Sequence, residues 1–200
     1  MFKLVNHLSS PAYKKRSLQC FTILGCCHPQ QQPFSINLFH HNNNPESRTK
    51  IHFRKGIKIG EKATLKRRFS AQDVSDFARL SGDYNPLHFD SEFAKQNGLF
   101  KDRIVHGVLV SSLLSNLAGT VMPGAGSIYM SQELKFLRPV YIDQEIEASV
   151  VLKEAQSTRK SGDKKVIFVV ETEIRSVDNG DLLVCGISRL YHANLEVIEQ

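Results

Sequence analysis

The sequence predicts an α+β domain in which an antiparallel sheet wraps around one central, buried helix. Three observations carry that reading. First, Gly107 through Val121 holds no charged residue, and Val108, Leu109, Val110, Leu113, Leu114, Leu117, Ala118 and Val121 leave almost no polar side; a helix apolar all round is one enclosed by protein. Second, four later runs alternate with period two, the mark of strands with one covered face. Third, "KSGDK" and "DNGD" stand between consecutive runs as hairpin turns, so the pairing should be antiparallel.

In chain order, the folded part opens on a short strand, "ATLKRRF". Ser70 and Asp73 have capping-box spacing, with Asp in place of the usual Glu or Gln, and start a helix there. Val74, Phe77, Ala78 and Ser81 recur at helical spacing as its apolar stripe, and Gly82 with Asn85-Pro86 ends it. A second short helix, "SEFAKQNG", takes Asp90 or Ser91 as cap and Gly98 as terminator. The central helix follows and stops at "PGAG"; it is well short of the roughly 20 residues of a membrane span. The strand sets are Ile128, Met130, Leu134 and Phe136, then Ile146, Ala148, Val150 and Leu152, then Val166, Phe168, Val170 and Ile174. Leu183, Cys185, Ile187 and Tyr191 form the last, with Val184 and Leu190 on the opposite face. So few strands cannot close a barrel, and a second copy would cover the open edge. A homodimer is expected.

The first 58 residues differ in character. They hold nine Lys or Arg against one acid, Glu46, whereas the rest holds seventeen basic and nineteen acidic groups. A nucleic-acid partner would need a basic face on the folded part, and the balance there is acidic. The acid-poor, basic, Ser-bearing start reads as a mitochondrial transit peptide, removed somewhere before Gly60 and joined by a polar, disordered linker. The domain is therefore expected over residues 59 to 200, in the mitochondrial matrix, and the terminal "IEQ" is no peroxisomal signal. Cys20, Cys26 and Cys27 fall in the leader, leaving Cys185 as a small core residue without a disulfide framework. CxxC and HExxH are absent, so no structural zinc site is expected.

The chemistry gathers in "LSGDYNPLHFD" and the later "VHGVLVSSLLSNLAG". Asp83 ends a helix and His88 follows the Asn-Pro turn, so a carboxylate and an imidazole could converge on one substrate for acid–base work. Taken singly, Asp83 is a helix-end residue, His88 a satisfied histidine, and Asn85 a turn residue that orients the loop. Gly107, without a Cβ and at a helix start, offers a backbone N–H to a developing oxyanion. His106 abuts Gly107 and could serve packing alone, and Ser115 could merely bond the backbone one turn earlier. Lys101, Arg103 and Arg138 could meet a phosphate or simply be solvated.

The first stretch resembles the Gly-Asp-x-Asn-Pro-x-His signature of the MaoC-like, R-specific hydratase/dehydratase family. "IVHGVLVSSLLS" and "ELKFLRPVYIDQEIEASV" resemble that family's central helix and following strands, so the likeness spans roughly residues 60 to 195. It implies a hotdog fold and the dehydration of a (3R)-3-hydroxyacyl thioester to the trans-2-enoyl thioester, or the reverse hydration, without metal or organic cofactor. It assigns catalysis to Asp83 and His88, the oxyanion donor to the Gly107 amide, and a supporting polar role to Ser115. With the leader, the resemblance is to mitochondrial dehydratases that act on acyl carrier protein thioesters in fatty acid synthesis. The alternatives are an R-specific enoyl-CoA hydratase of β-oxidation and a non-catalytic acyl-binding hotdog module; a thioesterase would have no reason to carry the full motif.

Overall fold

The computed structural model describes residues 55–96, 98–160, 163–193 and 195–198. The expected leader lies outside them except for its last few residues, and the "KSGDK" turn lies partly outside. The strands are β1 (Gly56–Ile57), β2 (Lys62–Arg68), β3 (Ile128–Phe136), β4 (Glu145–Lys160), β5 (Asp163–Ser176), β6 (Leu182–His192) and β7 (Glu196–Val197). The helices are α1 (Ala71–Ser81), α2 (Ser91–Gln96) and α3 (Gly107–Asn116), with a 3-10 turn at Pro86–His88 and a π-helical turn at Leu117–Val121.

Five strands form one sheet in the order β2-β4-β5-β6-β3, each neighbouring pair antiparallel. The expected hairpins occur at β4–β5 and β5–β6. β3 does not pair with the strand that follows it; it crosses to β6 instead. β1 and β7 make a separate parallel pair, with Ile57 fully buried. Two residues per strand are too few to show any alternation in sequence.

The core lies between the concave face of the sheet and α3. Ile146, Ala148, Val150 and Leu152 of β4 and Val166, Phe168, Val170 and Ile174 of β5 are buried, as their alternation predicts. They join Val110, Leu113, Leu114 and Leu117 in one apolar cluster. This is the helix-on-sheet arrangement of the hotdog fold.

Three expectations change. The central helix is not enclosed all round: Val108 is 67% exposed, and Ser112 and Ser115 are exposed too. A five-stranded sheet covers only one side, and the serines stand on the other. In β3, a bulge between Tyr129 and Ser131 inserts one residue, so Ile128 and Met130 do not share a face with Leu134 and Phe136. In β6 the core face belongs to Val184 and Leu190, paired with the buried Ile174 and Phe168. Gly186 and Ser188 occupy the inward positions between them, which hides that face from a hydropathy pattern.

The sheet has two unlike edges. β2 carries Lys62, Lys66, Arg67 and Arg68, and three of these pair with acids: Lys66 with Glu147, Arg67 with Asp73 and Arg68 with Glu145. β3 and its flank instead expose Ile128, Met130, Phe136 and Leu137.

Candidate active site

The end of α1 sets where Asp83 stands. Ser70 Oγ accepts the Asp73 N–H (3.2 Å), and the Asp73 carboxylate takes the Ser70 N–H (2.8 Å) and the Arg67 guanidinium (2.9 Å). That reciprocal cap fixes the first turn. At the other end Gly82 adopts φ +80°, a left-handed conformation that glycine tolerates, and its N–H closes on the Ala78 carbonyl at 2.8 Å. The chain therefore leaves the helix abruptly at Asp83.

Short-range bonds then shape the loop. The Asn85 N–H donates to Asp83 Oδ1 (3.2 Å), and Asn85 Oδ1 accepts the Leu87 N–H (3.1 Å). Asn85 thus caps the 3-10 turn, with Pro86 in the first position where no N–H is needed. One turn later His88 points inward and is only 7% exposed.

His88 is held by the segment before α3. Its Nδ1–H donates to the Ile104 carbonyl at 2.8 Å, and the Ile104 N–H returns to the Leu87 carbonyl at 3.1 Å. Ile104 and Val105 are anchored in turn on Tyr141 and Val140. Because a carbonyl can only accept, the proton of neutral His88 sits on Nδ1, and Nε2 presents its lone pair. Nε2 lies 3.9 Å from Asp83 Oδ2, too far for a hydrogen bond and close enough for both to reach one substrate. Burial pushes the His88 pKa below its ordinary 6.5, and charge on His106 adds to this. The Ile104 hydrogen bond and the Asp83 carboxylate oppose both effects without reversing them. His88 is accordingly a neutral base near pH 7.

His106 enters the site from the helix side. It is 2% exposed, its Nε2–H donates to the Asp83 main-chain carbonyl at 3.0 Å, and its ring stacks on His88 with centroids 3.6 Å apart. Phe77 and Phe89 close around it at 5.0 and 6.3 Å. Gly107, next in the chain, is the first residue of α3, so its N–H has no acceptor one turn back and faces the positive end of the helix dipole. A Cβ on Gly107 would meet the Phe136 ring at 3.1 Å. Ser115 stands about 12 Å further along α3 at 1.5 Å per residue and is exposed, so it is not brought to the pair within this chain. Lys101 covers the Tyr141 ring and Arg138 pairs with Asp181.

Among the described residues, Asp83, His88 and His106 are the group whose donor atoms lie close enough to suggest a metal, within 4.8 Å of one another. The fit is poor. Zinc bonds of about 2.0–2.1 Å bring tetrahedral donors to about 3.4 Å, and two rings stacked with planes only 28° apart aim their in-plane lone pairs side by side. The arrangement suits proton transfer better than chelation.

A family model described as MaoC like domain matches residues 44–174. The chain belongs to the MaoC-like family. Among MaoC-like relatives, a mitochondrial 3-hydroxyacyl-[acyl-carrier-protein] dehydratase of Arabidopsis thaliana is 40% identical over 72% of this chain and 82% of its own length. An (R)-specific enoyl-CoA hydratase of Aeromonas caviae is 48% identical over 47% of this chain and 69% of its own. The solved structure of an (R)-hydratase from A. caviae, involved in PHA biosynthesis, superposes with a TM-score of 0.59 at 38% identity, covering 68% of this chain and 98% of that one.

Proposed function

We propose that this MaoC-like chain is a hydro-lyase that dehydrates a (3R)-3-hydroxyacyl thioester on acyl carrier protein to the trans-2-enoyl thioester and water, and runs in reverse as a hydratase. The observation that carries this is the neutral His88 Nε2 lone pair set 3.9 Å from the Asp83 carboxyl group. His88 takes the proton from Cα, and the electron pair of that bond moves towards the thioester oxygen. The Gly107 N–H stabilises the charge that develops there; such a donor is worth about 2.7–4 kcal/mol in a transition state. As the Cα=Cβ bond forms, the Cβ–O bond breaks and the departing hydroxide takes up the proton that His88 removed from Cα, relayed within the network it shares with the Asp83 carboxylate, and leaves as water. His88 Nε2 regains its lone pair in that transfer, so both groups end as they began. Asn85 keeps the carboxylate in register, and Ser115 supports the acyl approach along α3 rather than acting as acid or base.

The basic, acid-poor leader and the mitochondrial Arabidopsis relative support action in mitochondrial fatty acid synthesis. The exposed apolar β3 edge supports a homodimer. No helix among the described residues is long and apolar enough to cross a membrane. A second reading, hydration of enoyl-CoA, is favoured by the 48% identity to the A. caviae hydratase.

The test is hydration of trans-2-enoyl thioesters by the purified full chain, with CoA and acyl carrier protein compared side by side, alongside Asp83→Asn and His88→Gln. Turnover by the parent and its loss in both folded variants is expected. Undiminished turnover in either variant sinks the site assignment. A parent inactive on both carriers points to an acyl-binding module instead.

A further inference from the structure

We propose that His106 is a positioning residue that couples the two reacting groups: its ring N–H fixes Asp83 through the main-chain carbonyl, while its face fixes the plane of His88 and opposes a second positive charge there. The inference rests on the Asp83–His88 reading and adds a third imidazole-or-carboxylate residue to it.

The contacts are unusual for a packing residue. Only polar aromatic rings satisfy both at once: the Nε2–H reaches the Asp83 carbonyl at 3.0 Å while the ring lies 3.6 Å from the His88 ring, tilted by 28°. A leucine of similar bulk would fill the space and leave that carbonyl unpaired. The two restraints also act on different elements. One holds the start of the loop at Asp83, the other the side chain at the 3-10 turn, and the separation of Asp83 Oδ2 from His88 Nε2 is set between them.

The ring stack also has an electrostatic consequence. Two imidazolium rings in contact repel, so a charge on His106 disfavours a charge on His88. The charged or titratable groups acting on His88 are His106 on its face, which lowers its affinity for a proton, and Asp83 at its edge, which raises it. The remaining restraint is the Ile104 carbonyl. Against His106 stand the rings of Phe77 from α1, Phe89 and His88, and a carboxylate oxygen of Asp83 lies within 4.8 Å of a nitrogen of its ring. Its Nδ1 is buried and has no hydrogen-bond partner among the described residues.

Two substitutions separate the restraints. His106→Gln can keep an N–H towards the Asp83 carbonyl but removes the aromatic face and the titrating charge. His106→Phe keeps a face over His88 and removes the donor. Each is expected to lower kcat about 10- to 100-fold through small displacements of the reacting groups, with KM within about twofold of the parent. With the opposing charge gone, the acid limb of kcat should move to higher pH in both. Loss of fold without a kinetic change is excluded by circular dichroism and melting of each variant.

The parent chain supplies a measurement that needs no variant to fold. NMR titration of the ring-labelled parent should show His88 and His106 responding to one another. Independent single-site titration of His88, or parent-like kcat and pH profile in a folded variant, overturns the proposal. If Asp83→Asn and His88→Gln remain active, the underlying site reading fails instead; if they are inactive while the His106 variants match the parent, only the role of His106 fails.

Discussion

The loop from Asp83 to His88 and the helix start at Gly107 build one site by opposite means. The loop contributes side chains that titrate: an exposed carboxylate, and an imidazole whose burial keeps it neutral. The helix start contributes a fixed dipole end and a backbone N–H that never changes charge. Proton movement and charge stabilisation are thereby assigned to separate pieces of chain. Faults in the two should look different: the first kind abolishes the chemistry and its pH signature, while the second weakens it and leaves that signature in place.

The largest effect is expected on the loop side. His88→Gln and Asp83→Asn should each lower kcat about 10²- to 10⁴-fold, the usual span for a general acid or base, with melting temperatures close to the parent's. A loss below tenfold for either would make the loop no more catalytic than the helix start. Next comes Gly107→Ala, whose methyl group presses on the Phe136 ring at 3.1 Å. It should lower kcat about 10- to 100-fold by shifting the donor, while the pH profile of the remaining activity stays parental. A changed acid limb would show that backbone and side-chain roles are not separable.

Asn85→Ala is a milder disturbance of the loop. It removes the cap on Leu87 and should lower activity about tenfold, in line with the roughly 0.5–2 kcal/mol of a lost cap. The smallest effect concerns pH and stability. The folded-state pKa of His88 lies below its unfolded 6.5, so its contribution is complete above that value and is lost as the pH falls through it towards the folded pKa. Stability should therefore drop on acidification below pH 6.5, less so in His88→Gln, and denaturant unfolding at several pH values measures it.

The two segments also differed in how far they could be read in advance. The loop's chemistry is local: cap, left-handed glycine, Asn turn and proline are neighbours in sequence, and each has its own physical signature. The contact of His106 with Asp83 spans 23 positions and the His88–Ile104 bond spans 16. Neither has a periodic trace; "HG" marked the place without revealing the stack. The same division runs through the fold. The stretches 146–152 of β4 and 166–174 of β5 are covered on one face and show the alternation. The β3 bulge, the inward Gly186 and Ser188 of β6, and the open side of α3 depend on partners distant in sequence.

Phe136 joins the apolar sheet edge to the catalytic backbone. It belongs to exposed β3 and is itself 53% exposed, yet its ring lies against Gly107. If a second copy pairs with that edge, assembly and oxyanion geometry share a side chain, and mass action enters the enzymology. Specific activity would then fall as the protein is diluted through its dimer dissociation constant, and the melting temperature would rise with protein concentration. An enzyme built this way has a working concentration below which its chains are intact but idle.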